Sequence, residues 1–266
     1  MGAGAGCLVN FLDQALTYIF TASNWSGKSG LGARILEHLQ YTAIAVLVSA
    51  VIAIPLGLLI GHTRRGIFVV VTGVNALRAL PTLGVLLLAV LLWGLGLVPP
   101  TVALMLLGIP PLLAGTYAGI ANVDPKVVDA ARSMGMTERR VLTHVEVPNA
   151  MPLILGGLRT ATLQVVATAT VAAYASLGGL GRYLIDGIKV RQFHLALVGA
   201  LLVTMLALVL DGLLAAALWA SAPGTGRLRR PMPQPLLDDE VRLESRPGPW
   251  TSGYGDAEAS PTVEGW

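Results

Sequence analysis

Charged residues are scarce in this 266-residue chain: Asp, Glu, Lys and Arg together make up only 12% of it. A soluble globular protein carries roughly 25%. The mean hydropathy is +0.70. With so few charges, the composition predicts a membrane protein. The net charge of +3 is typical of loops that face anionic lipid, so it gives no reason to expect nucleic acid binding.

Cysteine and clustered polar groups are also lacking. The single cysteine, Cys7, cannot form an intrachain disulfide, and no residue spacing is typical of a metal site. The apolar runs hold no paired carboxylates and no Ser/His/Asp set, so we expect neither catalytic residues nor a bound metal. Gly27, Lys28 and Ser29 are similar to the end of a phosphate-binding loop, but that loop needs a glycine where Ala22 stands. We therefore expect no ATP site in this chain.

Long apolar runs are what the sequence does contain, and five of them reach the roughly 20 residues that cross a bilayer. They are residues 39–60, 66–93, 98–121, 160–181 and 192–219. We therefore predict an all-α polytopic membrane protein with five spanning helices. Pro81 should interrupt the second helix, because proline lacks the backbone N–H that a helix needs.

Lys and Arg follow the first, third and fifth runs, which places these basic clusters on one side of the membrane. The positive-inside rule makes that side cytoplasmic, so the N-terminus is predicted outside and the C-terminus inside. Residues 1–37 then form an extracytoplasmic segment, in which residues 8–22 predict a short interfacial helix, although a span is left open. Residues 38–220 form the transmembrane domain. Residues 221–266, rich in Pro, Gly and mixed charge, predict a disordered cytoplasmic tail.

The stretch between the third and fourth runs, residues 122–150, is called here the charged loop. Asp124 can cap a helix whose first position is Pro125, and Gly135 can adopt the left-handed conformation that ends it. Helical spacing predicts one shared face for Val127, Ala131 and Met134. The small residues at the middle of this helix would allow close approach by a partner.

A second short helix should follow in the charged loop. Thr137 can cap it, Leu142 and Val145 align on one face, and Pro148 should stop or kink the chain before the next span. The residues alone are equally compatible with an ordinary amphipathic loop and with a docking element for another protein.

The spacing within the charged loop resembles the EAA loop of ABC importer permeases. That family has Glu-Ala-Ala, three residues, Gly, nine residues, Ile, one residue, and Leu-Pro. This sequence has the same spacing, with Asp for Glu and Val for Ile and Leu, in Asp129, Ala130, Ala131, Gly135, Val145, Val147 and Pro148.

The resemblance implies the type I ABC importer permease fold, which is MetI-like and has five core transmembrane helices. It also implies that the charged loop is the coupling loop that contacts an ATPase subunit, which would bind the ATP and Mg²⁺. The implied coupling residues are Asp129, Ala130, Ala131, Gly135, Val145 and Pro148. The implied partners are ABC ATPase subunits, a second permease subunit in a homo- or heterodimer, and an extracellular substrate-binding protein. The implied location is the bacterial plasma membrane.

Residues 36–220 are similar to permeases for glycine betaine, carnitine and choline, which are osmoprotectants. The stretches "LEHLQYTAIAVLVSAVIAIPLGLLIG", "RALPTLGVLLL" and "ASLGGLGRYLIDGI" carry this similarity, together with the charged loop. The Arg-x-x-Pro and GGLG elements in the last two are also shared with methionine-type importers. An aromatic cage best recognises a quaternary ammonium group, but aromatic residues make up only 6% of the chain. Selection of the solute would then belong to the binding protein. A permease for another small solute, such as methionine, and an ion-coupled secondary transporter are the alternatives.

Several polar or flexible residues in the runs are predicted to line the translocation pathway or its gate. Charged side chains in a span are costly and are functional hypotheses by default, although a neighbouring helix or the headgroups can also satisfy them. The glycine segment, residues 176–188, allows close helix packing, a turn or a flexible external loop. Arg159 could reach the cytoplasmic interface. The pathway candidates are Arg78, Pro81, Gly178, Gly179, Gly181 and Asp211.

Overall fold

The computed structural model describes residues 2–175 and 177–221, and within them the chain is built from α-helices joined by short turns. Ten α-helices follow one another in this part of the chain: α1 Gly2–Phe20, α2 Leu31–Thr63, α3 Ile67–Ala79, α4 Thr82–Trp93, α5 Val98–Ala121, α6 Pro125–Ser133, α7 Glu138–Val141, α8 Val147–Thr168, α9 Gly181–Lys189 and α10 Phe193–Ser221. A 3₁₀ turn, Ala22–Trp25, precedes α2, and another, Ala169–Ala175, follows α8.

Four stretches of helix in the described residues are long and apolar enough to cross a bilayer. They are α2, α5, the continuous stretch Glu138–Ala175 that contains α8, and α10. The pair α3 and α4 supplies a fifth span when it is counted as one broken helix. The all-α fold with up to five spans agrees with the prediction from the five apolar runs.

The second apolar run is broken at Pro81, as predicted. Residues Thr72–Ala79 and Thr82–Trp93 meet at an angle of 82°. Leu80 between them is extended, which suits the residue before a proline, because the proline ring disfavours the helical conformation there. The break leaves Arg78 exposed in the last turn of α3.

The core of the spanning region is formed by α5, which packs between α2 and α8. Buried apolar side chains of the three helices form one cluster that includes Ala53, Leu112 and Ala161. Gly115 and Gly157 lie at the crossing of α5 and α8, where a Cβ on Gly115 would lie 2.8 Å from Gly157 Cα. Glycine is therefore required for the two backbones to approach this closely, as at many helix crossings in membranes.

The fourth span begins earlier than predicted. The apolar run predicted residues 160–181, but helix continues from α7 through a π-helical turn, Leu142–Glu146, into α8, and it gives way to a 3₁₀ turn at Ala169. The run was placed by its lack of charge, and the stretch before it carries Arg159. Because α10 supplies a carboxylate for Arg159, the helix can include that charge.

The N-terminal segment forms α1, which extends over more residues than the predicted 8–22. It packs along α10, with edge-to-face contact between the rings of Phe11 and Phe193, whose centroids lie 6.1 Å apart. Whether α1 lies on the bilayer stays a prediction. The predicted tail, residues 221–266, lies outside the described residues except for Ser221, where α10 ends.

Candidate functional site: the charged loop and the glycine segment

The first helix of the charged loop is built as its capping residues predict. The Asp124 carboxylate accepts a hydrogen bond from the backbone N–H of Lys126, with Oδ1 and N 2.9 Å apart. Pro125 occupies the first helical position, where its missing N–H has no cost. After Ser133, Gly135 takes a φ of +81°, so it makes the left-handed turn that was predicted for it.

The buried face of α6 differs from the predicted one. Val128 and Ala131 are buried against Val123 and Val141, whereas Val127 and Met134 are exposed. Met134 already lies past the end of the helix, so helical spacing does not apply to it. The position of Val141, which follows the turn at Gly135, decides which side of this short helix is covered.

The second half of the charged loop also departs from the prediction. Thr137 does precede α7, but its side chain makes no capping hydrogen bond. The prediction that Pro148 stops the helix is wrong, since helix continues through Pro148 in α8, while a kink there stays a prediction. A π-helical turn ends just before it. Such a turn rearranges the local hydrogen bonds, which accommodates a residue that lacks a backbone N–H.

The residues of the EAA spacing fall into two groups. Asp129, Ala130, Gly135 and Pro148 are exposed, so a partner could contact them. Ala131 is buried, and Val145 packs against the same apolar cluster as Ala131. In this arrangement Ala131 and Val145 hold α6 against the rest of the loop and do not present a surface.

An ion-pair network, which the sequence reasoning missed, joins the charged loop to the C-terminal end of α2. Arg132 Nε and Nη2 lie 3.0 and 3.1 Å from the two carboxylate oxygens of Glu138, and Arg132 Nη1 lies 3.5 Å from Asp129 Oδ1. His62 Nε2 lies 3.2 Å from Glu138 Oε2, and its Nδ1 lies 2.6 Å from Glu146 Oε2. A ring nitrogen therefore faces a carboxylate on each side, and a doubly protonated imidazole donates to both.

At the exposed end of the network, Arg132 and Glu138 each favour the charged form of the other. The hydrogen bond from Arg132 lowers the pKa of the Glu138 carboxyl, and the same bond raises the pKa of Arg132. Glu146 is buried, in contrast with the exposed Glu138. A buried carboxylate usually needs a partner, and this expectation is the signal that could have pointed to the network. Its partner His62 is 84 residues away in the sequence, so no local spacing reveals the pair.

The glycine segment packs against the N-terminal end of α2. The Gly179 N–H donates to Glu37 Oε2 at 2.7 Å, and Arg34 Nη1 donates to the same oxygen at 2.8 Å. A Cβ on Gly178 would overlap the Glu37 carboxylate, and a Cβ on Gly181 would overlap the Thr170 carbonyl. Of the readings left open for the segment, the structure shows a turn that packs closely, followed by α9.

The charged candidates Arg159 and Asp211 lie apart from both regions. Arg159 of α8 forms a two-point ion pair with Asp211 of α10, with Nε–Oδ1 and Nη2–Oδ2 distances of 2.5 and 2.7 Å. The expectation that Arg159 reaches for the headgroups is therefore replaced by a contact between helices. Arg182 and Asp186 pair with each other on α9 at 3.1 Å. The pathway candidates thus lie at the α3–α4 break, the glycine segment and the α8–α10 pair.

Comparison with protein families gives one match that covers most of the chain. Residues 53–217 match the family model described as binding-protein-dependent transport system inner membrane component. The matched region includes the charged loop, the glycine segment and the α8–α10 ion pair.

Curated relatives cover a similar part of the chain. The glycine betaine/carnitine/choline transport system permease protein OpuCB of Bacillus subtilis is 36% identical over 179 residues, which is 67% of this chain and 82% of the relative. The choline transport system permease protein OpuBB of the same organism is 36% identical over 68% of this chain and 83% of its own length. The osmoprotectant import permease protein OsmW of Salmonella typhimurium is 32% identical over 69% of this chain and 88% of its own length.

Solved structures share the fold. A chain of the MetNI methionine ABC transporter in an inward-facing conformation aligns with a TM-score of 0.65 at 20% identity, over 72% of this chain and 96% of its own. A chain of an amino acid ABC transporter aligns with a TM-score of 0.57 at 21% identity, over 80% and 97%. These alignments confirm the MetI-like fold.

Proposed function

The chain belongs to the family of binding-protein-dependent transport system inner membrane components, and from that premise we propose that it is the membrane-spanning permease subunit of an ATP-driven importer for osmoprotectants. The observation that carries the proposal is the exposed edge of α6. Asp129 and Ala130 are exposed on one side of α6. Val128 and Ala131 on its other side are buried and anchor the helix. A rigid, projecting helix of this kind suits docking into a groove of another subunit.

The docking partner in this proposal is an ABC ATPase subunit, which binds ATP and Mg²⁺. Closure of two such subunits would pull on the charged loop, and the loop would pass the movement to the spans. Only residues 134–137 separate α6 from α7, and α7 continues through the π-helical turn into α8, which supports this role. Two ATPase subunits require two permease subunits, in a homo- or heterodimer.

The solute class follows from the relatives. The names of the relatives give glycine betaine, carnitine and choline as solutes. Two of these relatives are 36% identical to this chain over two thirds of its length. Quaternary ammonium groups are best held by aromatic cages, and this chain has few aromatic residues to build one. An extracellular binding protein would therefore select the solute, and the permease would supply the pathway.

We place the pathway and its gate at three features. The first is the bend at Arg78 and Pro81, where the broken helix frees backbone groups within the spans. The second is the Gly178, Gly179 and Gly181 turn against α2. The third is Asp211, whose pairing with Arg159 gives α8 and α10 a polar contact that a change of conformation could open.

The orientation in the proposal is N-terminus outside and C-terminus in the cytoplasm of a bacterium, in its plasma membrane. The charged loop then lies inside, where ATP is available, and the glycine segment lies outside, where a binding protein delivers the solute. The charge clusters after the first, third and fifth apolar runs support this orientation.

Reconstitution tests the proposal. The chain is assembled with its ATPase and binding protein in proteoliposomes, and uptake of labelled betaine is measured with unlabelled choline, carnitine or methionine as competitors. We expect uptake that needs ATP inside the vesicles and falls with choline or carnitine. Competition by methionine alone would show an amino acid importer instead. Uptake that follows an ion gradient and ignores ATP would contradict the proposal.

A further inference from the structure

His62 connects two parts of the molecule that are distant in sequence. It lies in the last turn of α2, and its two ring nitrogens face carboxylates on different elements. Glu138, at 3.2 Å, begins α7, and Glu146, at 2.6 Å, ends the π-helical turn before α8. One side chain thus joins α2 both to the charged loop and to the base of the fourth span.

The burial of these groups changes steadily across the network. The side chain of Glu146 is 7% exposed, that of His62 15% and that of Glu138 57%. At the exposed end, Arg132 continues the network from Glu138 to Asp129 on α6. The network therefore runs from the interior of the bundle to the residue that stands in place of the EAA glutamate.

The space between α6 and the end of α2 is not filled by apolar side chains. A cavity of about 200 Å³ lies there, and it is lined by residues of both helices and by Glu146. His62, Asp129, Arg132 and Glu146 are all among its lining residues. Across this gap His62 is linked to α6 through Glu138 and Arg132, and ion pairs of this kind can lengthen or exchange partners.

We propose that His62 is a positioning residue for coupling: its contacts with Glu138 and Glu146 make α2 move with the charged loop when the ATPase subunits close. The inference rests on the proposed function and deepens it, because it names the connection through which a movement of α6 reaches a second span. Without this connection a movement of α6 would reach α2 only through the apolar packing of α2 against α5 and α8.

The test uses the full complex in proteoliposomes with the His62→Ala variant. Solute uptake and ATP hydrolysis are measured in the same vesicles, and the amount of solute imported per ATP hydrolysed is the readout. We expect this ratio to fall by about tenfold, the size of a typical coupling between two sites. His62→Gln, whose amide can still donate to a carboxylate, should recover part of the ratio, and His62→Leu, of similar size but unable to donate, should not, which separates hydrogen bonding from a steric role.

Two further variants keep the test interpretable. Glu138→Gln removes the exposed member of the network, where a loss of folding is not expected, and should lower the same ratio. Thr63→Ala is the matched control, because the neighbouring Thr63 hydroxyl donates to Leu59 O within α2 and is not part of the network. Hydrogen exchange of the α6 and α7 amides gives an independent readout, and it should speed up in His62→Ala and not in Thr63→Ala.

The outcomes separate this inference from the proposed function. If wild-type vesicles show no solute-stimulated ATP hydrolysis, the proposed function is wrong. If the wild type is coupled but His62→Ala imports as much solute per ATP, the role given to His62 is wrong. Unchanged hydrogen exchange in His62→Ala overturns the connection itself, whether or not the complex transports.

Discussion

The two ends of α2 are attached to the rest of the molecule by different means. At the N-terminal end, the Glu37 carboxylate accepts the Gly179 N–H, and a Cβ on Gly178 would displace the ends of the Glu37 and Arg34 side chains. At the C-terminal end, His62 reaches Glu138 and Glu146 beside a cavity of about 200 Å³. Glu37 and His62 are 25 residues apart in α2, so these attachments are separated by roughly 38 Å.

The difference shows which end can be adjusted. Close backbone packing does not tolerate movement, because any displacement at the glycine segment creates overlap or a gap. Ion pairs beside a cavity can lengthen, exchange partners and reform at little cost in packing. We therefore expect the contacts at the N-terminal end of α2 to contribute mainly to stability. The C-terminal end is expected to move with the charged loop.

The largest effect is expected from one substitution made in each region. Gly181→Ala places a Cβ onto the Thr170 carbonyl and should cost about 3 kcal/mol of stability, as overpacking of a fixed backbone does. Gly135→Ala meets nothing within 4 Å and suffers only from the positive φ, which should cost roughly 1 to 2 kcal/mol. The melting temperatures of the solubilised variants measure both.

Gly212→Ala is the control for this pair, because a Cβ there meets nothing within 4 Å and its φ is not positive. Its melting temperature should match the wild type. Equal losses for Gly181→Ala and Gly135→Ala would show that the glycine segment and the charged loop are packed alike, and the difference between these two regions would fail.

A smaller effect is expected when a carboxylate is neutralised in each region. Glu37→Gln weakens the hydrogen bonds from Gly179 and Arg34 and should lower stability by about 1 kcal/mol while import per ATP stays the same. Glu138→Gln should do the reverse: import per ATP should fall, and its melting temperature at neutral pH should fall less than that of Glu37→Gln, because exposed ion pairs contribute little to stability. Measuring melting temperature and import per ATP for both variants gives the test, and the two variants behaving alike would contradict it.

The smallest effects are expected at opposite ends of the pH range. Burial is the main cause that raises the pKa of Tyr183 to about 12, and the contact with Tyr18 is the second cause. The Tyr183 O–H donates a hydrogen bond to Ser29 O at 2.9 Å. The neutral form is favoured in the folded protein, so this contribution is complete below the ordinary value of 10.0 and is lost as pH rises towards about 12. Tyr183→Phe should therefore reduce the alkaline loss of stability.

The charged loop should respond to acid instead. The hydrogen bond from Arg132 lowers the pKa of Glu138 from its ordinary value of 4.5. Its contribution is thus present above 4.5 and is lost as pH falls through the lower folded value. Melting temperatures against pH for wild type, Tyr183→Phe and Glu138→Gln measure both responses. Alkaline curves that coincide for wild type and Tyr183→Phe would contradict the role given to the tyrosine.

Features set by local chemistry were predictable from the sequence. The third apolar run coincides with α5, the Asp124 cap and the Gly135 turn form as expected, and Pro81 breaks its helix. Each depends on the residue itself or on its near neighbours, so the sequence carries the information directly.

Features set by distant contacts were not predictable. Ala131 faces inwards because Val141 returns to cover it, and α8 starts early because Asp211 pairs with Arg159. Pro148 fails to end its helix because a π-helical turn precedes it. The His62–Glu146 pair requires two positions that only the packing of α2 against the loop brings together.

The most direct test of the account is the affinity of the permease for its ATPase subunit when the exposed edge of α6 is blocked. Ala130→Trp places a large ring on that edge without entering the buried cluster around Ala131, and Ala22→Trp adds the same ring at an exposed position before α2. Both variants are placed in nanodiscs and their affinity for the ATPase is measured. Ala130→Trp should bind the ATPase about a hundredfold more weakly, as loss of a central interface contact does. Ala22→Trp should bind it as the wild type does. ATPase binding to Ala130→Trp with wild-type affinity would contradict the account, because α6 would then not be the docking surface.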